Sequence, residues 1–190
     1  MYKKGGKGLT KANELKQVYI VISQTGTVLS RILKLITGAE YNHASISLAD
    51  DLSVMYSFGR RNPYNPFWGG FVTESAHFGT FKRFAKTKVT VLEVDVSPKK
   101  YEAISSFLDN MLTTRSDYGY NYLGLCLAAF NICFKRQNRY YCSEFVREVL
   151  LKHHIKGSKQ LLGIVHPMNF LNMPYARTVY CGKLKDYSNG

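Results

Sequence analysis

The stretch Tyr41-Asn42-His43-Ala44-Ser45-Ile46-Ser47-Leu48 alternates: Ala44, Ile46 and Leu48 fall on one side, His43, Ser45 and Ser47 on the other. A period of two marks a half-buried strand, and here it sets an imidazole on a rigid backbone among small side chains. Ala49-Asp50-Asp51 then reads as a turn, and residues 54–58 as the returning arm of a hairpin. Towards the N-terminus, residues 18–22 read as a buried strand and residues 28–36 as a helix, with Thr27 at its N-cap and Gly38 just past its end. Towards the C-terminus, residues 71–74 and 89–96 are expected as strands, and Ser97-Pro98 opens a helix reaching Leu112. Residues 118–134 are expected as a buried helical stretch. A second helix covers residues 142–154, with Phe145, Val146, Val149 and Leu150 on one face, and residues 178–184 form a last strand. Strands first and helices after predict an α+β fold, an antiparallel sheet packed against helices.

The 190 residues fit one domain: residues 1–16 as a flexible basic arm and residues 17–190 as a single folded unit. With 45% hydrophobic, 14% aromatic and 21% charged residues, the chain is neither disordered, collagen-like nor a coiled coil. Lys and Arg number 26 against 13 Asp and Glu, a net charge of +13 that favours an anionic ligand. Arg60, Arg61, Tyr64 and Trp68 share one proline-broken loop, a mixture that also suits single-stranded nucleic acid. No RNA-binding motif accompanies them and the cations are spread along the chain, which disfavours a nucleic-acid partner. The longest apolar run, residues 120–134, is shorter than the roughly 20 residues of a spanning helix, so no transmembrane segment is expected. Near the N-terminus Gly5, Gly6 and Gly8 interrupt the lysines with no apolar core behind them; a cytoplasmic location is the expectation. Cys126, Cys133, Cys142 and Cys181 include no C-x-x-C pair and are expected reduced, with no zinc spacing, no other metal and no cofactor called for.

Cys142 carries the chemical interest. In Tyr140-Tyr141-Cys142-Ser143-Glu144-Phe145-Val146 it stands where an irregular basic segment becomes an amphipathic helix, so its thiol meets unpaired N–H groups and the positive end of the helix dipole. That setting favours a nucleophilic thiolate, although a free Cys is more commonly a small core residue. His43 is the candidate base among five histidines. A half-exposed strand His with no role is the plainer alternative.

The motifs taken together resemble a known family. The strand Val18-Tyr-Ile-Val-Ile-Ser-Gln, a helix ending in Ile36-Thr37-Gly38, a strand opening with His43, and Tyr141-Cys142-Ser143-Glu144-Phe145-Val146 resemble the permuted NlpC-like, YiiX-type cysteine hydrolases, relatives of the lecithin retinol acyltransferase group. The resemblance covers roughly residues 17–155 and implies a circularly permuted papain-like fold, with Cys142 as nucleophile and His43 as general base. It implies a third polar group on the partner strand of the hairpin, and Ser57 is the choice there. Glu74 is an outside candidate, and the backbone N–H of Cys142 is the first oxyanion donor. Tyr41, Tyr56, Trp68 and Tyr141 are the expected substrate contacts. The implied substrate is a peptide, another amide or an acyl lipid. The lack of a carboxylate on residues 54–58 keeps an inactive papain-like scaffold open, as the basic charge keeps open a binding module for an anionic partner such as nucleic acid or lipid.

Overall fold

A computed structural model describes residues 14–24, 38–61, 68–84 and 86–187. The expected helix over residues 28–36, most of the basic arm and the centre of the aromatic loop lie outside the described residues. The chain is α+β. Six strands, β1 (Lys16–Gln24), β2 (His43–Ser47), β3 (Met55–Arg60), β4 (Gly69–Glu74), β5 (Lys88–Val96) and β8 (Ala176–Lys183), form one antiparallel sheet in the order β4-β3-β2-β1-β5-β8. The remaining strands, β6 (Gly119–Tyr120) and β7 (Arg139–Tyr140), make a separate parallel pair. Among the described residues the α-helices are α1 (Gly79–Arg83), α2 (Pro98–Thr113), α3 (Tyr122–Ala128) and α4 (Cys142–Lys152).

β1 is covered on both faces, which is why its apolar residues run continuously instead of alternating. Val18, Ile20 and Ile22 join Ala44, Ile46, Phe58 and Phe71 in the main core, beneath Ile104 and Leu108 of α2 and Phe145, Val146 and Val149 of α4. Tyr19 and Val21 face the other way, into a smaller core with Leu52, Met55, Phe81, Val89, Val91 and Leu184. α2 begins as its sequence dictates: the Ser97 hydroxyl accepts from the Lys100 N–H, with Pro98 in the first turn. At the far edge, β8 carries one residue too many. Val91 pairs with Tyr180 and Leu92 with Thr178, so Val179 is passed over.

Two boundaries differ from expectation. β1 starts two residues before the expected strand, with Lys16 and Gln17 opposite Val96 and Asp95. Residues 118–134 are not one buried helix. Only Tyr122–Ala128 is helical, and residues 130–139 are all exposed. Asn121 explains the early stop. Its side-chain oxygen caps α3 by accepting from Gly124 N–H (3.0 Å), while its amide donates to the Phe134 carbonyl (2.9 Å) and folds the chain back. Gly124 is required at this crossing, because a Cβ there would lie 2.2 Å from the Asn121 amide nitrogen. Asn121→Ala removes both bonds and is expected to cost about 1–2 kcal/mol in a denaturant titration.

Candidate active site

α4 starts at Cys142 because Tyr141 is extended (φ −98°, ψ 168°) and Phe145 N–H closes the first helical bond onto the Tyr141 carbonyl (3.0 Å). The Glu144 carboxylate reaches back to accept from Tyr141 N–H (3.4 Å), which fixes the entry of the chain. Cys142 is thus the first helical residue, its backbone N–H without an intrahelical acceptor. Its thiol lies against the start of β2, 3.9 Å from the Asn42 carbonyl.

His43 follows Asn42, and its Nε2 meets the carboxylate of Glu74, 2.9 Å from Oε2 and 3.1 Å from Oε1. The Ser45 hydroxyl donates to the same Oε2 (2.8 Å). The pair is sheltered, with side chains 15% and 17% exposed. Burial works against the imidazolium, but the Glu74 charge foremost, then the nearby Cys142 sulfur as an acceptor and the bond to Glu74, outweigh it. His43 therefore keeps its proton well above its ordinary value of 6.5. Burial likewise opposes the Glu74 carboxylate, and the charge and hydrogen bond of His43 with the Ser45 hydroxyl reverse that, holding it below 4.5. The carboxylate thus holds the imidazole, and the thiol lies beside the residue that precedes it.

A fourth group stands beside the thiol. Tyr120 is buried; burial foremost, then the charges of Cys142 and two neighbouring tyrosines and a hydrogen bond with Cys142, push its hydroxyl well above 10.0. Parallel pairing puts it there: Gly119 and Tyr120 lie opposite Arg139 and Tyr140, and Asn121 N–H donates to the Tyr140 carbonyl (3.0 Å). Gly69 allows β4 to close on this pair, since a Cβ there would lie 2.9 Å from Tyr120 Cβ and 2.6 Å from the Tyr122 hydroxyl.

The structure therefore brings together His43 and Cys142, but not Ser57. Ser57 does lie on the same face of the sheet as Ser45 and Ser47, yet its buried hydroxyl donates to the Ala44 carbonyl (2.7 Å) and leaves His43 to Glu74. Of the expected substrate contacts, Tyr41 and Tyr141 are buried and Tyr56 is half-buried. Tyr41 is buried, its hydroxyl accepting from Thr90 (2.9 Å), and Tyr56 stacks on Phe71 (6.1 Å between centroids) and faces Tyr101 and Asp109 of α2. Tyr141 is buried as well, its hydroxyl pushed up to about 12, chiefly by burial. Trp68 is exposed at the start of β4, next to the glycine that abuts Tyr120.

Sequence reasoning undervalued Glu74 and missed Tyr120. A signal for the first exists: Glu74 is the only acid between Asp51 and Glu93, a lone carboxylate in a basic stretch. No family model matches the chain, and no curated protein matches it. Among the described residues no helix is long and apolar enough to cross a membrane.

Proposed function

We propose that the chain is a cysteine hydrolase of the permuted papain-like kind, cleaving an amide, ester or thioester bond through an acyl-enzyme on Cys142. The observation that carries the reading is an imidazole held by a carboxylate at Nε2 while a thiol at a helix start lies against the carbonyl of the preceding residue, Asn42. With Nε2 occupied, Nδ1 is the nitrogen left for the thiol. The proton given up by Cys142 passes to His43, and Glu74 stabilises the resulting imidazolium.

The thiolate attacks the substrate carbonyl carbon, and the carbonyl oxygen takes up the negative charge. In this reading the backbone N–H of Cys142 and the Tyr120 hydroxyl serve as donors to that oxygen, which forms one bond from a carbon attached to Sγ. Collapse expels the leaving group, which takes the proton from His43. Water then attacks the thioester, His43 accepts its proton, and a carboxylic acid departs as the thiolate returns. A peptide, another amide or an acyl lipid fits this chemistry. The inactive-scaffold alternative drew on the lack of a carboxylate on β3; the bond of Glu74 on β4 to His43 supports the active reading.

Covalent capture tests the proposal. Cys142 is 3% exposed, whereas Cys126, Cys133 and Cys181 are exposed, so access alone ranks Cys142 last for labelling. An activated thiolate reverses the order. Brief exposure to limiting iodoacetamide at neutral pH, followed by peptide mapping, is expected to find Cys142 modified first. Intact mass after incubation with a p-nitrophenyl ester is expected to show one acyl group, absent in Cys142→Ala. Labelling in the order of exposure sinks the reading.

A further inference from the structure

Residues 123–139 present a surface that the proposed chemistry does not use. Leu123 is 50% exposed, Phe130 74%, Ile132 52% and Phe134 39%, and the thiols of Cys126 and Cys133 are exposed among them. Large apolar groups so displayed in succession are not the scattered single exposures of an ordinary surface. The display is also built rather than frayed. Asn121 ties the Phe134 carbonyl at one point, and Gly119 N–H donates to the Asn138 carbonyl (3.0 Å) at another. Asn131 and Asn138 take the left-handed conformation (φ 58° and 55°) at the turns.

Charge identifies the occupant. Lys135, Arg136 and Arg139, all exposed, follow directly on the apolar side chains, and no acid occurs between Asp117 and Glu144. We propose that this loop docks the protein on an anionic lipid bilayer, Phe130 and Ile132 entering the acyl boundary while Lys135, Arg136 and Arg139 meet the headgroups. An apolar edge bordered by cations is the chemistry of an interfacial anchor. A two-fold contact with a second copy sets the same three cations against themselves, on a chain already at +13. The loop lies between Tyr120 and Cys142, so docking holds the candidate site close to the bilayer surface. The inference concerns binding and stands apart from the hydrolase reading.

Vesicle co-sedimentation of the full chain tests it, with phosphatidylcholine vesicles against vesicles that also contain phosphatidylserine. Binding is expected only to the anionic vesicles, weakening with salt. Lys135→Gln with Arg136→Gln is expected to lower partitioning by about 25-fold, taking about fivefold per cation. Phe130→Ser with Ile132→Ser is expected to lower it by about tenfold or more, with an unchanged melting temperature showing that the fold persists. Cys142→Ala is expected to bind as the parent does, which separates this test from that of the catalytic reading. Three results overturn the proposal: equal loss from Lys183→Gln at the opposite edge of the sheet, which makes the attraction diffuse; no loss from the Phe130 and Ile132 pair; or a concentration-dependent dimer that Phe130→Ser abolishes.

Discussion

Glu74→Gln is expected to lower the acylation rate with a p-nitrophenyl ester on the order of 10³- to 10⁴-fold, the scale of losing the carboxylate from a nucleophile–base–acid row. The amide keeps the shape but loses the charge that favours the imidazolium. The pH profile distinguishes this from simple misfolding. Glu74 raises the value at which His43 gives up its proton, so in its absence the alkaline limb of the rate profile moves to lower pH. Ser57→Ala is the contrast. It removes a buried hydroxyl whose bond goes to the Ala44 carbonyl, and is expected to cost about 1 kcal/mol of stability while leaving the limb in place. Equal kinetic losses in the two variants, or an unmoved limb in Glu74→Gln, would return the orienting role to another group.

Tyr120→Phe is expected to lower acylation by about 10²- to 10³-fold, the usual cost of one oxyanion donor. Its hydroxyl is held well above 10.0, so it remains a neutral donor throughout the working range, with no deprotonated form to repel a developing oxyanion. Two reactions of the same thiol separate the possible roles. Acyl transfer builds charge on a carbonyl oxygen, whereas alkylation by iodoacetamide does not. If Tyr120 serves the oxyanion, acylation falls and alkylation of Cys142 keeps its rate. Parallel falls in both mean that Tyr120 acts on the sulfur itself.

The legible parts of the molecule were those written locally. Alternation in residues 43–48 and the onset of amphipathic periodicity after Tyr141 locate His43 on a strand and Cys142 at a helix start. What brings other groups to them is not local. Glu74 lies on β4, two strands from β2 in the sheet, and no spacing in the sequence reports which strands a side chain reaches across. Tyr120 arrives through a parallel pair of two-residue strands, too short to leave a periodicity, inside a segment whose apolar content reads as buried helix. Tyr41 and Tyr56 mislead through nearness in sequence. Tyr56 adjoins Ser57, but successive strand side chains point to opposite faces, and its own face is that of α2.

The supernumerary residue in β8 bears on solubility. A sheet of this kind ends in a rim of backbone groups that invites a neighbouring molecule to extend it, the first step towards fibrils. At Val179 that rim is interrupted, Lys183 adds a cation beyond the interruption, and Arg177 before it is paired with Glu93. A second molecule approaching with the same rim finds neither a straight template nor a neutral one. An interrupted ladder of this kind disfavours templated aggregation.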